Sequence, residues 1–241
     1  MIAKGVINRR VDGFVVPENY TMRFIFPNEL RYAVDLENHV YDNLPDKQVL
    51  YKDTYEEMHE DMESGAKIIG VFNESEKMIA YRYIGFPGKN SKNLAYDISL
   101  PENQMDKVVH LETTLVHPDY RGNSLQSVTL QHAAAMVKDL GYRHLLCTVS
   151  PFNFFSLYNI MKNGLKIKAL KKKYSTAENP SDGLWRFILH RDMEYNRFER
   201  LIDSHVSRLD NIYEQKSLID NGYIGFNIFK DSKTLSYARF Q

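Results

Sequence analysis

Between Val116 and Ser127 the chain reads VHPDYRGNSLQS, a proline-led turn that runs into a helical pattern beginning at Ser124. A helix N-terminus leaves backbone N–H groups without intrahelical partners and carries the positive end of the helix dipole, so such a turn can hold an anion. Arg121 adds a formal charge and Gly122 permits an unusual backbone angle, while Asn123 and Ser124 are small enough for their backbones to approach a ligand. Just upstream, the VVHLETTLV segment alternates so that His110, Glu112, Thr114 and Val116 share one side of a strand. That side carries two titratable groups. Downstream, Asn153, Ser156 and Ile160 share a helix face through their three- and four-residue spacing, and Tyr158 faces elsewhere. The single cysteine, Cys147, sits among Leu145, Leu146 and Val149 and reads as a buried thiol.

Other chemistries have no matching pattern. There is no Gly-x-Ser-x-Gly elbow and no Gly-Lys-Ser/Thr phosphate loop, and the histidines lack paired ligand spacing, so no metal is expected. His117 reads as a turn residue. The basic run KALKKKY, Lys168 to Tyr174, reads as a solvated strand edge that discourages strand addition.

The elements that must position these residues follow from periodicity. YTMRFIF, Tyr20 to Phe26, predicts a strand, and Pro27 opens a helix with Leu30, Ala33, Val34 and Val40 at helical spacing. A second helix is expected in TYEEMHEDMESG, with Thr54 and Glu57 as a capping box and Gly65 as its stop. AKIIGVFN and KMIAYRYIGF form a hairpin pair, and Pro87 to Asp106 reads as loop with room for a short strand. A strand from Lys107 to Val116 follows, then a helix from Ser124 to Leu140 and the strand YRHLLCTVS. The helix NFFSLYNIMKNG, stopped by Gly164, precedes two further strands, LKIKALKKKYS and GLWRFILHRDM. This order predicts an α/β (α+β) fold with a mixed central sheet flanked by helices. Beyond Met193, Phe198, Leu201, Ile202, Val206 and Leu209 suggest an amphipathic helix, followed by a hairpin around Lys230-Asp231-Ser232. The expected organisation is a main domain over 1–193 and a helix-hairpin extension over 194–241 packed on it, with a substrate lid or a homodimer contact as the sharper roles for the tail.

Composition sets the bounds. The chain has 241 residues, zero formal net charge and 43% hydrophobic residues, enough for a packed core. Neutral balance gives no support for a nucleic-acid surface. One cysteine excludes an internal disulfide framework, and no run of about 18 apolar residues spans a membrane. A soluble, cytoplasmic protein is the expectation.

Two segments together are more specific than either alone. LVHPDYRGNSLQSVTL, followed after one helix and one strand by SPFNFFSLYNIMKNGLKI, resembles the two central motifs of the GNAT N-acetyltransferase superfamily. The first motif is matched at Val116, Pro118, Arg121, Gly122 and Leu125, and the second at Asn153, Ser156 and Gly164. The resemblance covers Tyr20 to Met193 and implies a mostly antiparallel GNAT-like sheet. It also implies acetyl-CoA as cosubstrate and an amine of a small molecule or peptide as acceptor. By the same resemblance, Thr114, Leu115 and Val116 would pair with the pantetheine arm through their backbone. Arg121, Gly122, Asn123, Ser124, Leu125 and Gln126 would hold the pyrophosphate, and Asn153 and Ser156 would contact the cofactor where the strand before Pro151 splays from its neighbour.

The family's base on this strand corresponds to Glu112 first and His110 second, since an ammonium must lose its proton before attacking a thioester. Ser124 and Gln126 stand where the family has glycine. Serine is expected to cost little, and glutamine fits if it keeps helical angles. The family's acid tyrosine falls at Ile160; Tyr158 is the nearest substitute, with a buried core aromatic as its bland role. These departures leave a catalytically weakened acyl-CoA-binding sensor or scaffold as the alternative to an enzyme.

Overall fold

The computed structural model describes residues 1–175, 183–195 and 200–241. The chain forms two compact units, Met1–Phe86 with Leu111–Asp139, and Pro87–His110 with Leu140–Gln241.

The first unit opens with a hairpin of β1 (Ala3–Val11) and β2 (Phe14–Ile25). Asp12 and Gly13 turn it, both at positive φ, as a two-residue turn that matches strand twist requires. Helix α1 (Arg31–Asp42) follows a 3-10 turn at Pro27–Glu29, and α2 (Tyr55–Glu63) begins at the predicted Thr54–Glu57 capping box and ends before Gly65, φ 109°. Strands β3 (Lys67–Asn73) and β4 (Met78–Gly85) form the expected hairpin, with β2 on the other side of β3. Leu36 and Val40 of α1 and Met58 and Met62 of α2 pack on Ile68, Phe72, Tyr81, Tyr83 and Leu115. Full burial of each such side chain is worth about 1.5–3 kcal/mol. Strand β5 (Val108–Val116) passes through both units, and its stretch from Leu111 leads to α3 (Leu125–Asp139) in the first.

In the second unit the start of β5 pairs in parallel with β6 (His144–Val149), from Val108↔His144 to His110↔Leu146. Helix α4 (Phe154–Lys162) precedes β7 (Lys166–Lys173) and β8 (Leu184–Asp192), which are antiparallel to each other, with β6 on the far side of β8. Val108, Leu146, Ala169 and Ile188 form a core beneath Leu94, Ala95 and Met105. The stretch from Pro87 folds into 3-10 turns at Leu94–Ile98 and Glu102–Lys107 rather than a strand.

The tail differs from expectation. Leu201–Arg208 is strand β9, and the helix lies later, at α5 (Ile212–Asp220); Phe198 is outside the described residues. The terminal hairpin of β10 (Ile224–Phe229) and β11 (Thr234–Phe240) forms as expected, with β10 joined to β7 at Gly225↔Ile167. Its open β11 edge takes β9 along Arg208 to Leu201, so ladder hydrogen bonds prevailed over an apolar stripe that is left largely exposed. Asn211 caps α5, its side-chain oxygen accepting from Glu214 N at 3.3 Å. Among the described residues no helix is long and apolar enough to cross a membrane.

Candidate functional site

The loop after β5 is held from several sides within the first unit. His117 N donates to Ile79 O at 2.8 Å, and its ring stacks on His39 at 4.5 Å between centroids. His117 Nδ1 accepts from Asp119 N, and burial pushes its pKa down, which fits a neutral turn residue. Tyr120 is buried and donates its hydroxyl proton to Glu18, while Asn73 Nδ2 donates to the Tyr120 oxygen at 3.0 Å. Asn123 binds the loop to β1, accepting from Asn8 N at 3.0 Å and donating to Asn8 O at 2.7 Å.

Arg121 is extended (φ −64°, ψ 153°), Gly122 has φ 87° and Ser124 has φ 58° before α3 begins at Leu125. The first intrahelical bond is Val128 N to Ser124 O at 3.0 Å. The first turn of α3 therefore directs its N–H groups and positive dipole end toward residues 121–124. Ser124 corrects one expectation: it occupies the left-handed region that favours glycine, at a cost of roughly 1–2 kcal/mol for a residue with a Cβ. Gln126, by contrast, lies in regular helix.

Arginines outside the motif reach this stretch, and Arg9 on β1 pairs with Asp119 at 3.4 Å. Arg10 on β1 places Nη2 3.7 Å from where a Cβ on Gly122 would lie. Arg82 on β4 is buried beneath α3 and donates to Gln126 O at 2.9 Å and Thr129 Oγ1 at 3.1 Å. None was identified from sequence. Arg82 had a visible signal, as the one charge inside the apolar run MIAYRYIG.

The two proposed bases fall in different units. Glu112 lies in the first unit, where its carboxylate packs over Gly85; a Cβ on Gly85 would come within 3.0 Å of Glu112 Oε1. His110 lies in the second unit, buried, and its Nε2 accepts from Leu94 N at 3.1 Å, a bond that occupies that lone pair. Thr114, Leu115 and Val116 follow Glu112 on β5.

Around Glu112 stands an acidic group that the sequence reading missed. Asp53 accepts from Thr113 Oγ1 at 3.2 Å, and burial, followed by Glu112, pushes its carboxyl up to about 6. Tyr83 donates its hydroxyl proton to Asp61. Glu37, on the buried face of α1 with Ala33, Leu36 and Val40, is 0% exposed, and burial, reinforced by Asp53, pushes it up to about 8.

In the second unit, Asn153 caps α4, its Oδ1 accepting from Ser156 N at 3.1 Å, which accounts physically for their three-residue spacing. Ile160 is buried at 4%. Tyr158 is not the buried core aromatic expected: it is half-buried, 5.9 Å from the Phe154 ring and beneath Lys162 Nζ. Cys147 is a buried thiol in no disulfide. Lys171 and Lys173 do not stand free as a solvated edge but pair with Asp97 at 3.0 and 2.7 Å.

An N-acetyltransferase from Staphylococcus aureus Mu50 superposes with a TM-score of 0.55 at 16% identity, covering 73% of this chain and 99% of that one. A GNAT-family acetyltransferase from Streptococcus pneumoniae gives 0.52 at 17% identity, covering 72% and 99%. The fold is that of the GNAT acetyltransferases. The Salmonella typhimurium protein yncA, solved with its cofactor acetyl-CoA, matches at 0.54 and 13% identity over 75% of this chain and 97% of that one. No family model and no curated protein matches the chain. The mixed, mostly antiparallel sheet with flanking helices is thus the GNAT arrangement, and β9–β11 with α5 add to the sheet of the second unit.

Proposed function

We propose that this protein transfers an acetyl group from acetyl-CoA to an amine by direct attack. The observation that carries the reading is the conformation of residues 121–125. Two positive φ angles turn the loop into α3, with Arg10 and Arg121 beside it and Arg82 beneath. That concentration of positive field at a helix start suits a pyrophosphate. The fold shared with a protein solved with acetyl-CoA supports the same assignment.

Bound acetyl-CoA would supply an activated acyl group on a thiolate leaving group. In this reading Arg121 to Gln126 and Arg10 hold its phosphates, and the backbone of Thr114 to Val116 aligns the pantetheine arm. Glu112, on the same strand, takes the proton from the ammonium of the acceptor, directly or through water. His110 is the weaker choice, because its Nε2 already accepts a backbone proton. Ile160 stands at the family's tyrosine position and cannot donate a proton. A thiolate with a pKa near that of cysteine, about 8.5, leaves without one. Asn153 and Ser156 are further cofactor candidates on the motif alone.

The test is thiol release with a panel of amines, comparing wild type with Glu112→Gln. General-base loss lowers turnover by about 10²–10⁴; turnover untouched by Glu112→Gln removes the assigned base. The buried Ile160 favours one second reading, an acyl-CoA-binding sensor, which predicts tight CoA binding and no turnover on any amine.

A further inference from the structure

Glu37 occupies a position on α1 that helical periodicity reserves for an apolar residue, between Ala33 and Leu36 on one side and Val40 on the other. Both its carboxylate oxygens are buried without a hydrogen-bond partner, and so is the Tyr81 hydroxyl. Buried polar groups are almost always paired, and an unpaired carboxylate is among the most costly to leave so. Tyr81 and Tyr83 share one side of β4 and pack in the same core as Leu36 and Val40.

The charge is graded from surface to interior. Asp61 is exposed, Asp53 and Glu112 are half-buried, and Glu37 is fully buried. Burial is the main cause that raises Glu37 and Asp53; Asp53 adds to the first and Glu112 to the second, so the carboxylates also act on one another in sequence. Lys52 is the cation that acts on Glu37; it is exposed and donates to Asn38. After burial, the charges of Glu37 and Asp53 act on Tyr81, and those of Asp61, Glu112 and Asp53 act on Tyr83, which also donates to Asp61.

We propose that Glu37, Asp53 and the hydroxyl of Tyr81 form a subsite for a second cationic nitrogen of the acceptor, so that the substrate is a diamine or polyamine whose reacting amine lies at Glu112. A protonated amine offers three donors to the unpartnered oxygens and a positive charge to the carboxylates. A monoamine leaves Glu37 without that partner. The role of the reacting amine rests on the acetyl-transfer reading; binding of the second cation does not.

The test therefore reads binding apart from turnover. The full-length protein is titrated calorimetrically with butylamine, 1,4-diaminobutane and spermidine at pH 7 in two buffers of different ionisation heat. Glu37 is largely protonated at that pH, so a cation beside it drives proton release, seen as a buffer-dependent enthalpy. The expected result is diamine binding at least tenfold tighter than butylamine, with proton release. Glu37→Gln and Asp53→Asn should each bring the diamine affinity down toward that of butylamine and, for Glu37→Gln, remove the proton release. Equal affinity for butylamine and the diamines, or a preference that survives both substitutions in folded protein, overturns the proposal. Diamine binding without acetylation would sink only the transfer reading, whereas acetylation of butylamine and diamine with equal KM would sink only the subsite.

Discussion

The carboxylate of Glu112 lies against the bare backbone of Gly85, with Oε1 3.0 Å from the place a Cβ would take. Glycine at that point of β4 is what lets the carboxylate sit there. Gly85→Ala should push the Glu112 side chain aside by a few tenths of an ångström while costing little stability, because a side chain rather than backbone must yield. Since a misplacement of about 1 Å can cost on the order of 10²-fold, the expected effect is a roughly tenfold fall in kcat with an unchanged Kd for acetyl-CoA. Steady-state kinetics beside calorimetry checks it.

Arg10 is expected to bind phosphate through its approach to Gly122. Arg10→Ala should weaken CoA roughly tenfold at low salt and less at high salt, because screened charges contribute less. Titration at two ionic strengths reads this directly, and an unchanged affinity removes Arg10 from the cofactor site.

At Ser124 the left-handed backbone opposes the flexibility glycine would add to the unfolded chain. Relief of roughly 1–2 kcal/mol is partly offset by about 0.5–1 kcal/mol of entropy. Ser124→Gly should therefore raise Tm by roughly 1–3 °C without loss of CoA binding. Thermal unfolding decides the sign.

The raised carboxyl of Glu37 makes stability depend on pH. Its folded pKa, about 8, lies above the ordinary value of 4.5, so between these values the folded state holds a proton that the unfolded state has lost. Stability from this group is full below about pH 4.5 and falls as pH rises toward 8. Glu37→Gln, with a neutral side chain of the same shape, should match wild type near pH 5 and exceed it near pH 8 by a few kcal/mol, on the order of 3. Urea unfolding at both pH values measures the difference.

These predictions draw on features of unequal visibility in the sequence. The capping box at Thr54–Glu57, the stop at Gly65 and the β3–β4 hairpin rest on local rules and appear as expected. The β1–β2 hairpin also had a local signal, Asp12-Gly13 between alternating runs, but its charged residues masked the strand pattern. The region around Leu201–Arg208 could not be assigned locally, because the choice between helix and strand depended on the open edge of β11, some thirty residues away in sequence. The turn into α3 at Arg121–Leu125 was legible because its proline, glycine and helix start leave local signals. Arg10, Arg82 and the Glu37–Asp53 group come together only through tertiary packing. Even so, a glutamate in the apolar stripe of α1 and an arginine inside β4 were violations of pattern, of the kind expected at functional or strained sites.

The most direct test of the account is acetyl transfer itself, followed as free thiol released from acetyl-CoA and as acetylated amine by mass, with 1,4-diaminobutane as acceptor. The account predicts matching release of thiol and product, strongly reduced in Glu112→Gln, with acetyl-CoA binding retained in that variant. Acetyl-CoA that binds but yields no product from any amine in the panel would contradict it.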